Sequence, residues 1–230
     1  MNKPYRIVFE DNHLLVAVKA PNVLSQADSS GDADMLTLLK AHIKEKYEKP
    51  GEVYLGLVHR LDRPVGGLMV FARTSKAAAR LSAQLREHSL GREYLCVCHG
   101  EIEAAFTLTD CLLKDGKSNM VAVVPEETQG SQRAVLHGDP VASKNGLTLA
   151  KIRLKTGRSH QIRVQMQHFG HPLWGDNRYG SGVPGEQIAL WGYKLSLLHP
   201  TLKEEMVFYD YPKEGGFAPF MEDINEQQTL

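Results

Sequence analysis

The chain has 230 residues, with 27 Lys and Arg balanced by 27 Asp and Glu, and 42% hydrophobic against 23% charged residues, ordinary values for a globular core. Its three cysteines cannot form a disulfide framework or a four-thiolate zinc site. The opening MNKPYRIVFEDNH turns polar too early for a signal peptide, and no stretch nears the roughly 18 apolar residues of a membrane span, so a reduced, cytoplasmic protein with no membrane partner is expected.

In chain order, Tyr5–Phe9 and Leu14–Lys19 are short apolar runs separated by EDNH, a hairpin pattern. Asp34 is placed to cap a helix over Met35–Tyr47, where Leu36, Leu39 and Ile43 follow helical spacing. Val53–Leu61 and Leu68–Ala72 read as strands around the turn-rich loop DRPVGG, and Ser75 as the N-cap of a helix reaching about His88. Tyr94–Cys98 alternates like a strand, and further strand signals recur at Phe106–Leu108, Met120–Val124, Ala134–Leu136 and Leu147–Leu154. A short helix is expected over Ser159–Phe169, a Gly- and Pro-rich loop over Gly170–Gly185, strands over Ile188–Leu198 and Met206–Tyr211, and a frayed C-terminus. The reading is one α+β domain over residues 1–230: a mixed, mainly antiparallel sheet with flanking helices, a core about 5–212 and a tail about 213–230.

Zero net charge hides segregation. Lys151–Gly180 carries six Lys and Arg against the single acid Asp176, Arg73–Arg92 carries five against Glu87, and Lys203–Leu230 carries two Lys against seven acids. Basic segments offset by an acidic tail are what a local phosphate-binding surface needs, although solvated faces produce the same pattern.

Three constellations can carry chemistry. In HRLDRPVGG (59–67), Asp62 stands between Arg60 and Arg63 in a turn stiffened by Pro64 and opened by two glycines. Flanking cations favour its ionised form, which suits a nucleophile or base; a turn-bracing Asp is the plainer alternative. In TGRSHQIR (156–163), a Gly turn and clustered donors at a helix start suit an anion, and the Arg163 fork can pair a carboxylate; surface solvation and ordinary capping are the alternative. GHPLWGDNRYG (170–180) mixes aromatic and basic groups that suit bases and phosphates, or forms a packed surface loop. Neither the His160, His168, His171 group nor Cys96, Cys98, His99 has zinc spacing, and no P-loop or GxGxxG appears, so no metal and no cofactor are expected.

Taken together, VHRLDRPVGGLMVFART (58–74), REYLCVCHG (92–100), KTGRSHQIRVQMQHFGHPLWGDNRYG (155–180) and IALWGYKLSLLHP (188–200) resemble the RluA-like family of RNA pseudouridine synthases. The resemblance runs in order from near residue 5 to about 212, with no S4-type RNA-binding domain ahead of it. It implies a mainly antiparallel sheet with a central catalytic cleft, and isomerisation of uridine to pseudouridine in ribosomal or transfer RNA. In that resemblance Asp62 is the essential carboxylate, and Arg60 fills the space left by a flipped uridine. Tyr94 stacks on the uracil, Arg163 pairs with Asp62, and Leu190 packs near the base. His59, Arg63, Arg158, His160, Gln161 and Arg178 complete the expected RNA-binding set. Gly66 stands where relatives often have Ser, and Trp191-Gly192 where His-Ala is common. A monomer is expected. A non-catalytic RNA-binding protein, or a hydrolase with Asp62 as nucleophile, accounts for parts of the pattern but not for Asp62, Tyr94 and Arg163 together.

Overall fold

The computed structural model describes residues 4–183 and 185–228. The fold is mixed α+β with mainly antiparallel strand pairing, and it divides into two compact units, Met1–Arg92 with Gly192–Asp210, and Glu93–Trp191 with Tyr211–Leu230.

In the first unit β1 (Tyr5–Glu10), β2 (Leu14–Lys19), β4 (Gly66–Ala72) and β10 (Leu190–Leu198) lie side by side, the last belonging here from Gly192 onward. The two-residue β3 (Gly56–Leu57) pairs with β4, and β11 (Glu205–Tyr209) with β10. All six residues of β2 and all seven of β4 are buried. Their unbroken apolar runs therefore mark strands covered on both faces, not half-exposed ones. Helix α1 (Met35–Lys46) turns Met35, Leu39 and Ile43 inward, and Asp34 caps it by accepting from Thr37 N–H at 3.2 Å. Helix α2 (Ser75–Arg86) starts one residue inside its cap, Thr74, whose hydroxyl accepts from Ala77 N–H. From its buried side Gln84 pairs with Leu198 like a neighbouring strand, donating to the carbonyl at 2.8 Å and accepting from the N–H at 2.9 Å.

In the second unit β5 (Gly91–His99), β9 (Leu147–Leu154), β8 (Gln132–Lys144), β6 (Phe106–Lys114) and β7 (Val121–Val124) follow one another across the sheet. Short helix α3 (Gln161–His168) packs against β7, with Val164 joining Leu112, Val121 and Ala134 in one apolar cluster. Strand β8 is 13 residues long, far beyond the apolar Ala134–Leu136. Register with β9 shifts between Pro140 and Ala142, a bulge that accommodates the proline's missing N–H.

Two further expectations change. Of Val53–Leu61 only Gly56–Leu57 pairs as strand, because the backbone after it is taken up by the turn described below. The tail is ordered from Gly215 through Gln227, where a frayed end is expected. Gly215–Phe220 is a 3₁₀ helix and Met221–Gln227 forms α4, burying Phe217, Phe220 and Ile224. Lys144 pairs with Asp223, Lys151 donates to Gln227, and the Tyr211 hydroxyl donates to the Gln227 carbonyl.

Candidate active site

Asp62 sits half-buried in the connection from β3 to β4, and the surrounding sequence holds that connection at three successive residues. Its own carbonyl accepts from Val65 N–H at 3.0 Å, closing the turn. Just before it, the Ser25 hydroxyl accepts from Leu61 N–H at 3.1 Å and donates to Leu61 C=O at 2.7 Å. Just after it, the Arg63 carbonyl accepts from Asn22 N–H at 2.8 Å and from Lys19 Nζ at 3.0 Å. Lys19 is fully buried at the end of β2, and its other ammonium hydrogens go to the Ala20 and Val23 carbonyls at 3.1 and 2.7 Å. Burial pushes Lys19 down to about 7, the Asp62 charge pulls it up and Arg63 pushes it further down. Lys19 therefore clamps the backbone beside Asp62 and, in its protonated form, places a positive charge near it.

Beneath the turn His59 is 6% exposed, and its Nε2 accepts from Val70 N–H at 3.2 Å. Accepting there places the ring proton on Nδ1, which is buried without a hydrogen-bond partner among the described residues. Burial, then the nearby Arg92 charge, pushes His59 down to about 3, so the ring is neutral. Gly67 has φ +125°, and a Cβ there would lie 2.4 Å from the backbone of Gly192, so only glycine fits. Arg60 and Arg63 are exposed; Arg63 pairs with Asp32 at 2.6 Å across water-exposed side chains, which contributes little.

The second unit brings Arg158, His160, Gln161, Arg163 and Arg178 together around the start of α3. His160 takes a left-handed conformation (φ 53°), unusual for a residue other than glycine, and Ser159 makes no cap. Gln161 turns its amide inward instead, accepting from Arg158 N–H at 3.0 Å and Thr156 Oγ1 at 2.8 Å while donating to Val135 C=O at 3.1 Å. Arg163, 6% exposed, forms a two-pronged ion pair with Asp176, 1% exposed: Nε to Oδ2 at 2.8 Å and Nη2 to Oδ1 at 2.7 Å. Asp176 Oδ1 also accepts from the N–H groups of Arg178 and Tyr179 at 3.0 and 3.1 Å. Burial pushes the Asp176 carboxyl up, but the Arg163 hydrogen bond and charge with the two N–H groups outweigh it and hold it below the usual carboxylate range. The Tyr179 ring lies 5.0 Å from the Arg163 guanidinium carbon, and its hydroxyl accepts from Val121 N–H at 2.9 Å and meets His160 Nδ1 at 2.7 Å. Arg158 and Arg178 are exposed, each steadied by one bond to a carbonyl, Arg133 and Asn119 respectively. Tyr94 on β5 and Leu190 at the start of β10 are both buried.

Sequence reasoning passed over Lys19, Ser25, Asp176 and Tyr179 as site residues. Lys19 carried a signal, a cation closing the apolar run LLVAV, and so did Asp176, the single acid in the most basic segment. Among the described residues no group of three His, Cys, Asp or Glu is placed to hold a metal ion, and no helix is long and apolar enough to cross a membrane.

A family model described as RNA pseudouridylate synthase matches residues 1–168, most of the chain and the whole of the Asp62 turn. The chain belongs to this family. Two curated relatives of this synthase are named ribosomal large subunit pseudouridine synthase D. The one from Zymomonas mobilis is 32% identical over 217 residues, covering 89% of this chain and 68% of the relative. The one from Pseudomonas aeruginosa is 36% identical over 217 residues, covering 94% and 62%. Among solved structures, human RNA pseudouridylate synthase domain containing 4 aligns with a TM-score of 0.75 at 19% identity, covering 96% of this chain and 92% of that one, a likeness of fold. The synthase is therefore an RNA-modifying isomerase with a mainly antiparallel α+β fold.

Proposed function

We propose that this synthase converts particular uridines of structured RNA, ribosomal or transfer, to pseudouridine, with Asp62 as the nucleophile or base. The observation that carries the assignment is the clamping of the Asp62 turn by Ser25, Lys19 and Asn22 on the backbone immediately to either side of it. A carboxylate that must meet one atom of a flipped nucleoside gains from such fixing, since small displacements of a reacting group cost large factors in rate. Extruding a uridine from stacked RNA costs roughly a few kcal/mol, and the exposed Arg60 on the same turn fills the gap it leaves. Tyr94 and Arg163 take the roles their motifs carry, Tyr94 as platform for the uracil and Arg163 as the cation that positions the carboxylate, with Leu190 packing near the base. Arg63, Arg158, His160 and Arg178 meet the RNA outside the reacting nucleotide, while His59 and Gln161 act from below, holding the backbone that presents them. The product is an isomer of the substrate, so neither redox nor energy input is needed, and the protein acts as a cytoplasmic monomer without metal or cofactor. The names of the two relatives favour large-subunit ribosomal RNA as the first substrate to try.

The test is pseudouridine mapping of total RNA from cells with and without the protein, complemented by wild type or Asp62→Asn. Sites lost on deletion should return with wild type alone, and purified Asp62→Asn should be slower by about 10²–10⁴-fold or more. Substantial turnover by Asp62→Asn would remove the carboxylate from its role. An unchanged map across several growth conditions would favour a non-catalytic RNA-binding protein.

A further inference from the structure

We propose that Asp176 is a positioning residue of the reaction, acting through Arg163. The inference rests on the role given to Arg163 above and goes one residue deeper. Both partners are almost wholly buried, and the contact is the two-pronged one in which a carboxylate meets the Nε and Nη2 edge of a guanidinium. One edge of Arg163 is thereby committed, and the Tyr179 ring covers the group from one side. A guanidinium has five N–H donors in a fixed fork. With Nε and one Nη2 hydrogen directed at Asp176, the direction in which the remaining donors point is set by Asp176 and not by the flexible side chain.

Asp176 is itself held in place. Its N–H donates to Leu173 C=O at 3.2 Å, its C=O accepts from Gly180 N–H at 2.9 Å, and its carboxylate receives two further N–H groups from the turn that follows. One residue upstream of Gly175, Trp174 is hydrogen-bonded on both sides, from its N–H to Val97 C=O of β5 and from Ala189 N–H to its own C=O, both at 2.9 Å. Gly175, at φ +72°, would bring a Cβ within 2.7 Å of the Gln187 carbonyl, and Gly182 would bring one within 2.9 Å of Asp176 N. The GHPLWGDNRYG loop is thus a rigid mount for one carboxylate. As a stabilising device a buried ion pair is a poor choice, because desolvating both charges offsets most of their attraction, and apolar residues of similar volume often do as well. Fixing the direction of a cation used elsewhere is a task that apolar residues cannot perform.

The experiment is single-turnover pseudouridine formation, with enzyme in excess over RNA isolated from cells lacking the protein, read at the sites that deletion removes. Asp176→Asn keeps the shape but replaces one acceptor oxygen by an NH₂ that faces the guanidinium. The maximal rate per folded molecule should fall by about tenfold or more, with the half-saturating enzyme concentration changed by less than about twofold. In an Arg163→Lys background, where the fork is already gone, adding Asp176→Asn should change the rate by less than about twofold. An unchanged maximal rate, a loss carried by half-saturation alone, or the same tenfold loss persisting beside Arg163→Lys would each overturn the inference. Far-UV circular dichroism and thermal melts establish the folded fraction. If Asp176→Asn does not fold, Asp176→Glu, which keeps the charge and moves it by one methylene, is held to the same criteria. Inactive wild type or active Asp62→Asn would overturn the proposed function itself, whereas active wild type, inactive Asp62→Asn and a normal rate for Asp176→Asn would overturn this inference alone.

Discussion

Replacing His59 by Gln separates the acid sensitivity of one buried ring from that of the rest of the protein. Folded His59 is neutral down to about pH 3, because the ring is buried beside Arg92 and its Nε2 is occupied by Val70 N–H. In the unfolded chain an ordinary histidine takes up a proton near pH 6.5. Between those limits the unfolded state holds a proton that the folded state does not, so acid favours unfolding, and stability falls by about 1.4 kcal/mol for each tenfold rise in proton concentration. From pH 6.5 to pH 5 that amounts to about 2 kcal/mol, and by pH 3 to nearly 5 kcal/mol by the same relation. The carboxyls of Glu10, Asp11 and Asp176, all held below their usual range, add their own losses in more acid solution, near and below the ordinary carboxylate range. The interval from pH 7 to pH 5 lies above those losses, and Lys19, which takes up its proton near pH 7, contributes to both proteins alike, so the difference between them isolates the ring. In His59→Gln the amide oxygen replaces Nε2 as acceptor for Val70 N–H and does not titrate. Urea unfolding of both proteins at pH 7, 6 and 5, followed by circular dichroism, should show the stability difference shifting by about 2 kcal/mol in favour of the variant as acid is added. Parallel curves would mean that His59 can be protonated where it stands, and the assignment of its Nε2 as acceptor would be wrong.

Ser25→Ala removes both bonds to Leu61 and should cost about 1–3 kcal/mol, seen as a lower thermal midpoint; an unchanged midpoint would mean that Leu61 finds other partners. Gly67→Ala must relieve a Cβ placed 2.4 Å from the Gly192 backbone and should cost at least about 2 kcal/mol by urea unfolding, a result that near-neutrality would contradict. Tyr94→Phe keeps the ring and removes the phenol. If the phenol takes part in proton removal, the single-turnover rate drops by about 10²-fold with RNA affinity kept, and an unchanged rate would confine Tyr94 to stacking. Replacing Arg158 and Arg178 together by Ala should lower the slope of log affinity against log salt by about 1–2, and an unaltered slope would take both side chains off the phosphates.

Local signals in the sequence are legible where a few neighbouring residues decide the outcome. Asp34 caps α1 because the bond it makes is to Thr37, three residues away, and the apolar period of Met35–Lys46 needs no distant partner. The second cap was displaced by one residue, since Thr74 and Ser75 offer the same hydroxyl and only the backbone chooses between them. The order of the tail is not legible in the sequence because its acids dominate the composition, while the residues that order it, Phe217, Phe220 and Ile224, are few and depend on what they pack against. For the site, HRLD named the turn, but its clamps lie 36 residues away at Ser25 and 44 at Lys19, and no local pattern links them to it. Asp176 stood within a motif that drew attention for its aromatic and basic groups, and its pairing with Arg163, 13 residues earlier, emerges only when the loop folds back onto α3.

The pairing of Gln84 with Leu198 has a consequence for how the sheet ends. At that rung of β10 a side-chain amide from α2 occupies the donor and the acceptor that another strand would otherwise seek. Gln84 therefore ends the ladder at Leu198 from a helix, and Gln84→Leu, although apolar and compatible with a helix, would leave that part-buried N–H and C=O without these partners, at a cost of about 1–3 kcal/mol.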